Sequence, residues 1–170
     1  NIGGTDSGGG GGAVDSHFAD ADGKWQDLGG ENLPDTINGG DLTGESGDYL
    51  ADRLTTDAIN WMKNQNTSGD SFFTYLSQYS VHWPIEAKES DKDRYDGVPA
   101  GPNHDNKEYG AMISNLDENV GRVMEYLETT DDQSTAAPDD KLIDNTVVWF
   151  MSDNGGVHED VLAVDSAPTD

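Results

Sequence analysis

Val147-Val148-Trp149-Phe150-Met151 runs without a break into Ser152-Asp153-Asn154-Gly155-Gly156. The first part is β-branched and aromatic, the composition of a buried strand, and the spacing predicts a strand over 145–151. The second part changes character abruptly. Parallel α/β sheets gather their ligands just beyond the carboxyl ends of their strands. Asp153 and Asn154 stand at such an end, and both carry oxygen, the donor that a hard cation takes. Gly155 and Gly156 let the backbone turn and approach a ligand closely. The stretch therefore reads as a strand ending in a candidate metal corner. A plain turn is the competing reading, because Asp, Asn and Gly all favour turns.

Working outward, 106–129 carries the strongest helical pattern. Tyr109, Met112, Ile113, Leu116, Val120, Val123, Met124 and Leu127 form one apolar stripe. Asp105 is the expected N-cap, with Glu108 three residues on completing a capping box. A second helix is expected over 48–65, capped by Asp48, with Leu50, Leu54, Ala58, Trp61 and Met62 at helical spacing. Between the helices, 71–82 is rich in aromatic and β-branched residues and predicts a strand that Trp83-Pro84 stops. Residues 85–104 read as a charged loop, 130–141 as a polar loop and 155–170 as irregular. The order helix, strand, long helix, strand is a crossover pattern for parallel strands. Two strands do not complete a parallel sheet, which needs cover on both faces, so the rest of the sheet is either outside this chain or absent.

Residues 1–47 are rich in Gly, Asp, Asn and Ser, with a glycine run from Gly8 to Gly12 and a turn signal at Asn38-Gly39-Gly40-Asp41. They read as coil, with Phe18, Trp25 and Leu28 as possible anchors. The glycine run is not a G-x-G-x-x-G element on a strand-to-helix turn, so it does not read as a nucleotide site.

The 170 residues are enough for one domain with a core, although only 33% are apolar. Nine basic residues face 34 acidic ones, giving a net charge of −25. Such a surface repels nucleic acid and anionic membranes. It suits a saline environment as well as it suits an ordinary acidic secreted protein. Any anionic substrate would need a cation or a local basic pocket to offset this field. The absence of Cys excludes disulfides and a Cys nucleophile within the chain. No apolar run approaches the roughly 20 residues that span a bilayer, and no signal peptide is visible.

His82 is the second candidate. It closes the expected strand 71–82, and if the two strands are neighbours it reaches the same edge as Asp153. A histidine there can donate a hydrogen bond or a positive charge to a bound anion; capping the strand from a partly buried position is the plainer reading. His158, His104 and His17 are weaker candidates, and Lys88 and Lys92 read as surface charges. Ser152 lacks a G-x-S-x-G elbow, and there is neither a Walker motif nor zinc-type histidine spacing.

In this order the segments resemble the type I, formylglycine-dependent sulfatases of the alkaline-phosphatase-like superfamily. Asn1-Ile2-Gly3-Gly4 resembles the family segment where a strand opens into a Gly-rich loop. Residues 49–55, YLADRLT, resemble the family's "YLTDRLT". Phe72 to Ser77, with Val81-His82-Trp83-Pro84-Ile85, resemble "PFFLYLSHYAVHTPI". Tyr109 with Met112 to Arg122 resembles "YAAMIENMDENVGR", and Asp144 to Gly156 resembles "DNTLVIFTSDNGG".

The resemblance implies an α/β fold, part of a mostly parallel alkaline-phosphatase-like sheet flanked by helices and incomplete at both ends. It implies that 1–170 is the central part of a sulfatase catalytic domain, with 1–47 a loop region, 48–156 the core and 157–170 a loop. Asp153 and Asn154 would be metal ligands, for Ca²⁺ or another divalent cation, and His82 would contact the sulfate group. Asp117, Glu118 and Gly121 would fix the long helix. The implied reaction removes sulfate from a sulfated carbohydrate or aryl ester. A sulfated small molecule or polysaccharide is the implied partner, and a periplasmic or extracellular location follows from the family and the acidic composition.

The departures are equally informative. No C/S-x-P-S/A-R motif occurs, so the formylglycine nucleophile is expected on sequence outside this chain, and the chain alone is expected to be inactive. A "GKG" segment with an active-site Lys is expected beyond Ser166-Ala167-Pro168-Thr169. His158-Glu159-Asp160 replaces the usual small polar loop. The alternatives are a related metal-dependent phosphodiesterase or phosphonate hydrolase, and a non-catalytic acidic module that binds cations.

Overall fold

Two long helices carry the architecture. The computed structural model describes residues 17–19, 21–24, 36–37, 40–41, 45–102, 105–137 and 139–156. Helix α1 spans Leu50–Ser68, and Leu50, Ala51, Leu54 and Met62 lie along its buried side. It starts two residues later than the pattern predicts. Tyr49, in extended backbone, occupies the N-cap, while the Asp48 carboxylate accepts instead from the Glu45 amide at 2.9 Å. Gly69 ends it at φ 70°, a left-handed conformation that a side chain resists.

The 85–104 segment contains more structure than a loop. A short helix, α2, spans Glu89–Lys92 and leads into a 3₁₀ turn over Asp93–Tyr95. Tyr95 donates its hydroxyl to the Gly110 carbonyl at 2.9 Å and lies 2.8 Å from Ser114 Oγ. A Cβ on Gly110 would sit 2.9 Å from the Tyr95 ring, which is why glycine stands at this crossing.

Helix α3 spans Lys107–Thr129, in agreement with the apolar stripe. Its cap is Asn106 rather than Asp105: the Asn106 side chain accepts from the Tyr109 amide at 2.9 Å. Glu108 does not close a capping box. Its carboxylate reaches across to the Ala87 amide at 3.2 Å and to Lys92 at 3.5 Å. Local spacing suits both caps, and the partners of Glu108 at Ala87 and Lys92, remote in sequence, draw it away from a capping box.

Both predicted long strands are corrected. Residues 71–82 form no strand, and 145–151 form none either; a 3₁₀ turn over Leu142–Asn145 takes the start of the second. The reason is physical. A helix closes its hydrogen bonds within itself, whereas a strand needs a neighbour to accept its amides, and among the described residues neither segment is paired as a strand. Strand-like alternation persists all the same. Phe72 packs on the cluster of Met62, Leu127 and Leu142, Leu76 packs on the cluster of Ala19, Leu50 and Leu54, and Phe73 and Tyr75 between them are exposed. Val147 to Met151 are all exposed.

Among the described residues the one sheet is a two-stranded antiparallel hairpin, β1 Thr36–Ile37 and β2 Gly40–Asp41, the second strand taking the last two residues of the turn signal, in a region expected to be coil. The parallel sheet expected from the crossover pattern is therefore absent among them. Phe18 forms an isolated bridge with Tyr49, so one of the three expected anchors does join the body; Trp25 and Leu28 lie outside the described residues. No helix among the described residues is long and apolar enough to cross a membrane.

A polar joint fixes α1 against α3. Asp52 Oδ1 accepts from Asn115 Nδ2 and Asn119 Nδ2, each at 2.8 Å, and Asp52 Oδ2 accepts from Lys88 Nζ at 2.6 Å. Arg122 donates to the Asp52 carbonyl at 3.2 Å, to Asn119 Oδ1 at 2.7 Å and to Thr56 Oγ1 at 2.6 Å. Asn115 and Asn119 are buried, and every amide group named here has a partner, as buried polar groups require. This joint, rather than Asp117 and Gly121, ties the long helix: both of those are exposed, and a Cβ on Gly121 would meet open space. Glu118 does contribute, through an ion pair with Arg94.

Candidate functional site

His82 sits on a tight turn at the end of the 71–80 stretch, its amide donating to the Tyr79 carbonyl at 2.8 Å. The imidazole is exposed, and its Nδ1 lies 2.7 Å from the Trp83 carbonyl. A carbonyl only accepts, so Nδ1 carries the proton and Nε2 is left for another partner. The Tyr79 ring meets the imidazole edge-on at 6.4 Å.

Behind this turn lies His17, one of the weaker sequence candidates. It is completely buried. Its Nε2 donates to the His82 carbonyl at 3.0 Å, and its backbone amide donates to Glu86 Oε2 at 2.9 Å. The ring stacks on Tyr49 at 5.7 Å and meets Tyr79 edge-on at 6.5 Å. Tyr49 in turn donates its hydroxyl to the Glu86 carbonyl at 2.8 Å. Burial pushes the His17 imidazole below the usual histidine range, against the opposing influence of the His82 carbonyl and Glu86. The same burial pushes the Tyr49 phenol well above its ordinary value. Sequence spacing offers no signal for His17, because its partners lie 65 and 69 residues away.

Asp153 and Asn154 are both exposed. Asn154 Nδ2 donates to Asp153 Oδ2 at 3.0 Å, and Ser152 Oγ bonds the Asn154 carbonyl. This arrangement leaves the amide oxygen of Asn154 and Oδ1 of Asp153 as adjacent acceptors. Their chemistry fits a hard cation, but two residues fall short of the six to eight oxygens that Ca²⁺ takes. Among the described residues no group of three or more His, Cys, Asp or Glu could hold a metal. Gly156 follows in close packing: a Cβ there would sit 3.0 Å from the Tyr109 hydroxyl at the start of α3.

Among the described residues no hydrogen bond or ion pair joins His82 to Asp153 or Asn154. The shared sheet edge expected for them is absent among the described residues, as is the parallel sheet. Lys88 and Lys92 are not loose surface charges. Lys88 is committed to Asp52, with its ammonium 5.7 Å from the Tyr49 ring centre, and Lys92 pairs with Glu89 at 2.5 Å. His104 and His158 lie outside the described residues.

Comparison with known proteins points in one direction. The family model described as Sulfatase matches residues 14–168. A protein of Formosa agariphila described as a sulfatase is 33% identical over 114 residues, covering 64% of this chain and 19% of the relative. An uncharacterized sulfatase of Escherichia coli, YdeN, is 28% identical over 119 residues, covering 70% of this chain and 19% of the relative. A crystal structure of Ps i-CgsB is 28% identical and covers 54% of this chain and 19% of that one, with a TM-score of 0.45. The chain thus spans about a fifth of the length of these relatives.

Proposed function

Because the chain belongs to the sulfatase family, we propose that it forms part of a sulfuric ester hydrolase in which Asp153 and Asn154 hold a divalent cation and His82 faces the sulfate group. The supporting observation is the oxygen pair at the exposed Asp153-Asn154 corner, where Asn154 turns its amide hydrogens onto Asp153 and leaves adjacent acceptors outward. Ca²⁺ is the cation such oxygens suit best, and when bound it supplies polarisation of sulfate oxygens.

The remaining chemistry falls to this chain's own groups. Asp153 and Asn154 orient the cation by presenting two hard donors from one backbone turn. His82 keeps a proton on Nδ1 through the Trp83 carbonyl, so a second proton on Nε2 would be directed at a sulfate oxygen and offset its charge. These groups would form a positive pocket within a chain of net charge −25. The nucleophile is a formylglycine on sequence outside these residues, which contain no C/S-x-P-S/A-R motif. The substrate class is a sulfated carbohydrate or an aryl sulfate, met in the periplasm or outside the cell.

Calorimetric titration with Ca²⁺ tests the corner. A saturable site that weakens at least about tenfold in both Asp153→Ala and Asn154→Ala supports it, since each substitution removes one of few ligands. Binding that survives both substitutions overturns it. That result would favour a second reading, an acidic module binding cations diffusely, for which the 34 acidic residues speak.

A further inference from the structure

His17 comes from a part of the chain remote from His82, Glu86 and Leu50, to which it is bonded, yet it is completely buried. Its carbonyl accepts from the Leu50 amide at 2.8 Å, at the first turn of α1. Next to it, the Ala19 amide donates to the Asp48 carbonyl at 2.8 Å, and Phe18 bridges Tyr49. The segment is therefore fixed to the start of α1 by backbone bonds. From that anchor, the imidazole Nε2 reaches the carbonyl of His82, and the backbone amide reaches the carboxylate of Glu86 four residues further on.

Apolar packing flanks the His82 turn, with Tyr79 on Ala19, Leu50 and Leu54, and Val81 and Ile85 on Ala87, Ala111 and Met112, but the hydrogen bonds at its tip are short-range. The bond from the His82 amide to the Tyr79 carbonyl is local, as is the one from Nδ1 to the Trp83 carbonyl. Residues 71–80 lead into the turn without sheet pairing. A side chain exposed on such a turn keeps one direction only if the turn is pinned from behind. Long-range bonds that pin 79–86 from behind include those from His17 and the one from the Tyr49 hydroxyl to the Glu86 carbonyl.

We propose that His17 is a positioning residue for His82: buried His17, anchored on the start of α1, holds the His82 carbonyl through Nε2 and so sets where the His82 imidazole points. The proposal rests on the reading of His82 as the sulfate contact, and its test separates the two. It is physically economical. A neutral imidazole is large enough to fill the space between Tyr49 and Tyr79 and offers a single N–H directed at one carbonyl. Phenylalanine would fill that space without the donor. Glutamine would offer an amide N–H the same number of bonds from the backbone.

The test uses the isotopically labelled chain with His17→Phe and His17→Gln, followed by NMR. The readouts are the amide resonances of His82 and Trp83, the imidazole nitrogens of His82, and a titration with inorganic sulfate observed at His82. The Phe variant is expected to displace the turn resonances and weaken the sulfate response by up to about tenfold, the equivalent of one lost hydrogen bond. The Gln variant is expected to restore both. A role confined to stability would lower the melting temperature in both variants and leave the sulfate response unchanged, and that outcome overturns the proposal. Unmoved turn resonances in the Phe variant overturn it as well.

If wild-type His82 does not respond to sulfate, the sulfate-contact reading fails. The pinning is then judged on the turn resonances alone, with displacement in Phe and recovery in Gln supporting it. Should the Phe variant not fold, Tyr49→Phe removes only the hydroxyl bond to Glu86. With the His17 bond intact, His82 resonances that stay in place while those of Glu86 shift support His17 as the pin, and displacement of the His82 resonances counts against it.

Discussion

Asp52 shows how much one side chain can organise. Burial works against its charge, but the Lys88 ammonium and the Asn115 and Asn119 amides outweigh burial and hold the carboxyl below its usual range. A carboxylate whose folded pKa is depressed stabilises the fold fully above its unfolded value, near 3.8. That contribution is lost as pH falls through the lower folded value. Asp52→Ala removes the acceptor of the buried Asn115 amide, while Asn119 keeps its bonds to Asn115, and this costs about 2 kcal/mol at neutral pH. The Asp52 side chain is 34% exposed, which keeps the cost below that of a fully buried ion pair. Urea unfolding at pH 7 is expected to show this loss, and the gap between wild type and variant is expected to close as pH falls below 3.8. Equal midpoints at pH 7 would remove Asp52 from the centre of the joint.

Elements were legible in proportion to how locally they are held. Both long helices follow from apolar spacing, because helical hydrogen bonds close within the segment. Their caps were not legible, since Asp105 and Asn106 are both good cap residues and Asp48 lies one place before Tyr49. The strands read at 71–82 and 145–151 were legible as composition only, and the surviving alternation of Phe72, Phe73, Thr74, Tyr75 and Leu76 marks what the pattern can specify without a partner. The candidate site divides along the same line. His82, Asp153 and Asn154 stand in local motifs and could be read from the sequence, whereas the burial of His17 depends on contacts that no spacing encodes. The cap assignment gives an element-scale prediction. Asn106→Ala should destabilise by about 1 kcal/mol, the usual effect of losing a cap, and Asp105→Ala by no more than about half that. Thermal melts of the two single variants check it, and the reverse order would return the cap to Asp105.

At the scale of the whole molecule, two features oppose each other. A net charge of −25 pushes copies apart. Val147, Trp149, Phe150 and Met151 are each at least 71% exposed, in a stretch of high β-propensity without a charge or a proline. Such stretches seek strand partners, and an apolar surface of this kind favours association. Which tendency prevails depends on ionic strength. Screening length is about 10 Å at 0.1 M salt and about 3 Å at 1 M, so repulsion between copies collapses while apolar attraction does not. The 170-residue chain is therefore expected to sediment as a monomer at low salt and to associate increasingly as sodium chloride is raised towards 1 M. Trp149→Lys should suppress this by placing a charge inside the apolar stretch, while Phe73→Lys, which alters a different exposed segment, should suppress it less. Association that is independent of salt, or equally strong in Trp149→Lys, would show that the Val147–Met151 stretch is not the adhesive surface. The sign of the salt effect thus separates a charged chain kept apart by its own field from one whose apolar segment is already satisfied.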